Sequence, residues 1–181
     1  MVRDRLSAGG AIVLLLAILL LPGKWLISLF WATCFHEFCH LLAIYATGRY
    51  WGRAHFGLFG ARIPLPDMGR GAELLCALAG PAGSLLLGLT WPFFPRLAFC
   101  GIGQACYNLL PLYPLDGGRA LQCALLLLLP PDRAYMAEKA VAILCKSALL
   151  LLCLYVTRHT ELGLIPGLLI LMPVFRRNFE K

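Results

Sequence analysis

The stretch Phe35-His36-Glu37-Phe38-Cys39-His40-Leu41 sets two imidazoles four positions apart, with a carboxylate directly after the first. On a helix, residues four apart share a face, so both rings can converge on one metal ion while Glu37 reaches water beside it. Zinc lowers the pKa of bound water to about 7, and a neighbouring carboxylate can take its remaining proton during attack on a carbonyl. This is hydrolytic chemistry. The alternative is a buried His-Glu-His hydrogen-bond cluster without metal. Against it stands the setting: three ionisable groups within five residues of an apolar run, where such groups are functional by default.

A catalytic zinc takes three protein ligands and keeps one open position. The leading candidate for the third is Asp116, in Asn108-Leu109-Leu110-Pro111-Leu112-Tyr113-Pro114-Leu115-Asp116-Gly117-Gly118-Arg119. Pro111 and Pro114 break a helix where it would be buried, and Gly117-Gly118 permits a sharp turn that aims the carboxylate sideways. An aspartate capping the next helix is the competing reading, and Asp67 and Glu73 are rival ligands.

HEFCH followed well downstream by NLLPLYPLDGGR resembles the site-2 protease family of intramembrane metalloproteases, and within it the compact bacterial branch of stage IV sporulation protein FB. The readable part of the resemblance is roughly the first 125 residues. It implies one Zn2+ held by His36, His40 and Asp116, with Glu37 as catalytic base. Asn108 would orient substrate or the oxyanion, or else its amide satisfies the broken helix. Gly80-Pro81-Ala82-Gly83-Ser84 matches the family's Gly-rich element, where small residues permit close helix approach, packing being favoured over substrate contact. The segment from Phe56 to Ile63 corresponds to a membrane-associated sheet whose edge could hold an extended substrate, or it is an ordinary interfacial loop. Cys39, where the family often has a small residue, reads as a packing residue rather than a competing ligand. No nucleotide-sensing domain is expected after the last apolar run.

The elements that must position these groups are apolar. With 60% hydrophobic and 14% charged residues, the chain carries more apolar surface than a water-soluble core absorbs. Alternating Ala54 to Ile63 reads as a short strand or hairpin. Spans are expected at about Ala8–Pro22, Trp25–Thr47, Gly71–Leu89, Arg96–Leu115, Met136–Val156 and Leu162–Phe175, with the leucine-rich piece before Pro130-Pro131 too short to cross. The expected fold is thus an all-α polytopic membrane protein of about six spans with a small β-hairpin or sheet after the second. It forms one domain over 1–181, with a catalytic core at about 25–120 and accessory helices at 1–24 and 121–181. The first run, preceded by Arg3 and Arg5, offers no small-residue cleavage site and is expected to stay as an anchor.

Arg3, Arg5, Arg49, Arg53, Arg62, Arg70, Arg119, Arg133, Arg176, Arg177 and Lys181 fall on one side, against Lys24, Arg96 and Arg158 on the other. This asymmetry makes the former side, with both termini, cytoplasmic in a bacterial inner membrane. The formal net charge of +7 therefore reports topology; no aromatic-interleaved basic patch suggests nucleic acid. The eight cysteines sit mostly in apolar runs without a CxxC pair and read as small buried hydrophobes.

The function expected is regulated intramembrane proteolysis: a membrane-tethered or membrane-associated protein is cut near the cytoplasmic side, releasing a regulator such as a sporulation sigma-factor precursor, under inhibitory membrane partners. The competing class is a non-proteolytic metal-binding membrane protein, a transporter or an inactive scaffold. A cation transporter should place ionisable residues on several spans, whereas here they concentrate in two segments.

Overall fold

The computed structural model describes residues 22–47, 55–57, 60–62 and 69–159. Five α-helices are found among them: α1 Gly23–Ala46, α2 Arg70–Leu86, α3 Pro95–Asn108, α4 Asp116–Leu128 and α5 Pro131–His159, with a 3-10 turn Leu87–Thr90 extending α2. The chain forms two compact units, Met1–Asn108 and Leu109–Lys181.

The first unit is built on α1, α2 and α3. Helix α1 is apolar on every side, as expected of a helix surrounded by lipid and other helices. It has no glycine or proline after Gly23 and runs for 24 residues, about 36 Å. It packs antiparallel to α2: His36 meets Ser84, His40 meets Cys76, and Ile44 packs on Cys76. Helix α3 runs parallel to α1, with Trp25 edge-on against Phe99 at one end and His36 beside Asn108 at the other.

The residues at these contacts are small. Ala32, Ala77, Ala98, Ala105 and Ser84 are buried, and so are Gly80, Gly83 and Gly101. Ile27, Phe30, Trp31, Leu42, Leu85, Leu86 and Phe99 face outward. A water-soluble bundle would invert this order. Small residues inside and large apolar ones outside suit lipid as solvent, since helices there associate through close backbone approach.

In the second unit, the prolines end the chain's helical path at Asn108, and Leu112 N–H donates to the Leu110 carbonyl while Leu115 N–H donates to that of Leu112. Helix α4 then starts at Asp116, and Pro131 opens α5, a first-turn position where its missing N–H costs nothing. The Gln122 amide donates to the Glu138 carboxylate across the α4–α5 pair, 3.3 Å.

The expectation of about six spans with a small sheet is corrected. Three helices among the described residues are long and apolar enough to cross a membrane: Gly23–Ala46, Arg70–Thr90 and Pro131–His159. The expected fourth span is the 14-residue α3, only about 21 Å long against a hydrocarbon layer of about 30 Å. Pro111 and Pro114, which lack the donors a continuing helix requires, stop it short of Leu115. Strand structure among the described residues amounts to three-residue segments, β1 His55–Gly57 and β2 Gly60–Arg62, paired antiparallel. Among the described residues no larger sheet accompanies them. The first expected span, apart from Pro22, the sixth, and Asp67 lie outside the described residues.

A test of this packing is Gly101, where an added β-carbon would lie 2.8 Å from both Leu87 Cβ and the Ser84 carbonyl oxygen. Gly101→Val is expected to cost about 1–3 kcal/mol through overpacking, read as a lower thermal midpoint of the detergent-solubilised protein.

Candidate metal site

Helix α1 places His36 and His40 on one face, one turn apart, with His36 buried and Glu37 and His40 half-buried. Their Nε2 atoms lie 3.2 Å apart, and the rings meet nearly edge to face. Two nitrogens bound at 2.0–2.1 Å to one tetrahedral ion would stand about 3.3 Å apart. The pair therefore has the spacing of a zinc chelate. Nitrogens this close require either a proton or a cation between them, because two facing lone pairs repel.

The other nitrogens are held by α2. His40 Nδ1–H donates to the Cys76 carbonyl, 2.7 Å; a carbonyl only accepts, so His40 carries a proton on Nδ1. His36 Nδ1 is hydrogen-bonded to the Ser84 hydroxyl, 2.9 Å. Partners of this kind fix ring orientation at metal sites. The Asn108 amide nitrogen, at the end of α3, stands 3.4 Å from His36 Nε2, a long contact that brings a third polar group to the imidazole pair.

The Gly-rich element in α2 acts through absence. A β-carbon on Gly80 would strike His40 Nε2, the nitrogen turned away from Cys76, and one on Gly83 would strike Cys39 Sγ. Gly80 thus leaves the room that the His40 ring takes at its Nε2 end, and Gly83 makes the notch that Cys39 fills. Cys39 packs against α2.

Asp116 opens α4 in the second unit and is half-buried. Behind it, added β-carbons on Gly117 and Gly118 would strike the backbone of Leu109–Leu110 and Leu112–Tyr113, respectively. The segment from Leu109 to Gly118 is thus wound tightly on itself, as only glycine at both positions allows. Glu73, the rival ligand, lies half-buried in the first turn of α2, nearly a full turn before Cys76.

Sequence reasoning did not identify Ser84 or the Cys76 carbonyl as supports of the histidines. The available signal was periodic: Cys76, Gly80 and Ser84 recur every four residues, the same spacing as His36 and His40, so two antiparallel helices put them in register. A backbone carbonyl, however, leaves no mark in a side-chain pattern.

Gly80→Ala is expected to set its methyl on His40 Nε2 and to weaken zinc binding by roughly 10–100-fold, comparable to losing a support of a ligand. Chelator competition on the purified protein measures it.

No protein-family model matches the chain, and no curated protein does. Among solved structures, the site-2 protease from Methanocaldococcus jannaschii matches with a TM-score of 0.62 at 20% sequence identity, over 91% of this chain and 83% of that one. The chain therefore shares its fold with that protease.

Proposed function

We propose that the chain is a zinc-dependent intramembrane endopeptidase that hydrolyses a peptide bond in a membrane-associated protein. The observation that carries this reading is the imidazole pair: two Nε2 atoms at chelate spacing, each ring held from behind, on a helix long and apolar enough to cross a membrane. The likeness in fold to a site-2 protease supports the same reading.

His36, His40 and Asp116 are the proposed ligands, a donor set that could hold one metal ion. Support for Asp116 is covalent and local. Leu109 follows Asn108 directly, the Asn108 amide neighbours His36, and Gly117 is packed on the Leu109–Leu110 backbone. Two imidazoles and one carboxylate leave an open position, as catalytic zinc sites do. When bound, zinc polarises the scissile carbonyl and makes water acidic enough to attack at neutral pH.

The remaining roles fall to this chain's side chains. Glu37, adjacent to His36 on α1, takes the proton from the attacking water and returns it to the leaving amine. Asn108 directs an N–H toward the oxygen that gains charge in the transition state. The substrate class follows from the setting: a membrane-tethered or membrane-associated protein, released as a regulator such as a sigma-factor precursor in the sporulation manner that the sequence resemblance implies. The arginine asymmetry places cleavage near the cytoplasmic side of a bacterial inner membrane, with both termini cytoplasmic, and inhibitory membrane partners would control it.

Glu37→Gln should leave zinc content close to one per chain while lowering cleavage by about a hundred- to ten-thousandfold. Zinc content of the purified protein and mass spectrometry of membrane-protein fragments lost in cells carrying the variant measure both. Cleavage retained by the variant rules out this mechanism; zinc binding without any cleavage by the unaltered protein favours a substrate-binding scaffold. Asp116→Ala should lose the metal as well as the activity, and a variant with full zinc content would remove Asp116 from the ligand set.

A further inference from the structure

We propose that the groove between the start of α1 and the start of α3 binds one anionic phospholipid, an acyl chain lying against Ile27, Trp31, Phe94 and Leu97 and the phosphate held by Lys24 and Arg96. The inference stands apart from the metal reading. It concerns the other end of α1 and needs only that the first unit sits in a bilayer, as its long apolar helices indicate.

The groove has a volume of about 290 Å³ and is lined by Ile27, Ser28 and Trp31 from α1 and by Phe94 and Leu97 from α3 and the turn before it. That is close to the ~300 Å³ at which small-molecule pockets begin. Its one polar side chain is already engaged, because the Ser28 hydroxyl donates to the Lys24 carbonyl, 2.9 Å. What remains is hydrocarbon surface, which offers nothing to a polar metabolite and matches an acyl chain.

The mouth of the groove is cationic. Lys24, Ile27, Ser28 and Trp31 follow one another at helical spacing and so share one side of α1, with the lysine at its end. Arg96 lies between Phe94 and Leu97, in the first turn of α3. The Trp25 and Phe99 rings, 5.7 Å apart between centroids, hold the two helix starts side by side. Both cations are exposed, and such side chains lay their stems on apolar surface while the charge stays at headgroup level. The described carboxylates of this unit stand elsewhere. Glu37 is about 20 Å further along α1, and Glu73 opens α2, beyond the Ile44–Cys76 contact at the far end of the antiparallel pair. Two positive charges without a local counter-charge favour an anionic headgroup over a zwitterionic one, whose own cation they repel. Trp91, Phe93 and Phe94 crowd the turn into α3 and are exposed, and tryptophan is enriched where membrane meets water. The turn thus marks the depth of a headgroup. From Lys24 to Trp31 is about 10 Å along the helix, so a lipid anchored at the lysine passes its acyl chain across the Trp31 ring.

The test is tryptophan fluorescence of the full chain in phosphatidylcholine vesicles that carry a minor fraction of acyl-brominated lipid, either phosphatidylglycerol or phosphatidylcholine. Bromine quenches tryptophan on contact, and subtracting the signal of Trp31→Phe isolates Trp31. Brominated phosphatidylglycerol should quench Trp31 at about 5–30-fold lower membrane fraction than brominated phosphatidylcholine, and Lys24→Gln and Arg96→Gln should each reduce that preference about fivefold. Ser28→Leu, which fills the groove and keeps both cations, should remove the preference. Equal quenching by the two lipids means ordinary boundary lipid and overturns the proposal. Quenching by neither means that protein covers the groove, whether residues before Pro22 or a second copy of the chain, and overturns it too. A preference that survives removal of both cations sinks the headgroup assignment, and one that survives Ser28→Leu sinks the groove. Should a variant fail to fold, the comparison of the two lipids on the unaltered chain decides.

Discussion

The separation between α1 and α2 is the constraint on which the first unit depends. Gly80 and Gly83 let the two helices approach until His40 and Cys39 occupy the volume that side chains on α2 would otherwise take. At that distance the main-chain carbonyl of Cys76 and the hydroxyl of Ser84 come within hydrogen-bonding reach of two imidazoles. A wider separation would leave both rings free to rotate, and polar groups buried in an apolar bundle without partners cost several kcal/mol. Packing and polar pairing are therefore one device. In lipid, apolar surface gives helices no reason to associate in preference to acyl chains, so close contact and hydrogen bonds must hold the pair together.

Regular structure does not hold every candidate residue in the same way. His36 and His40 sit mid-helix on α1, braced from α2, and so their geometry is set by regular structure. Asn108 and Asp116 stand instead at helix ends, the last residue of α3 and the first of α4. Groups at such ends take their direction from the turn between them, and that turn is held by two backbone hydrogen bonds and the packed glycines Gly117 and Gly118. The histidines on α1 thus sit within regular structure, whereas a non-helical stretch leads to Asp116. Sites built on helices hold their geometry more closely than sites built on loops.

Much of the arrangement around His36 and His40 was legible because side-chain type and helical period carry it. HEFCH states that two imidazoles share a face, and the glycine-rich GPAGS states that something comes close to α2. The resemblance to site-2 proteases, drawn from two short motifs, pointed to the fold that the structural comparison finds. Other features were not legible. Hydropathy sums over residues regardless of what breaks the helix, so Arg96 to Leu115 was read as a span although Pro111 and Pro114 end helical structure at Asn108. The carbonyl that holds His40 belongs to the backbone of a cysteine, and its direction exists only once two helices are in register. Ser84 was seen as a small residue, and its hydroxyl gained meaning only opposite His36.

The broken stretch after Asn108 has a chemical consequence beyond geometry. Proline at 111 removes the donor that the Tyr107 carbonyl would have met, and proline at 114 removes the one for Leu110, whose oxygen instead accepts from Leu112 N–H. Unpaired backbone oxygens are not tolerated against hydrocarbon; they persist at membrane depth only against protein or water. Prolines that strip donors from helical backbone leave each freed oxygen to find another partner, and the Leu110 oxygen finds its own two residues on. The interruption that ends α3 early thus turns the chain toward Asp116.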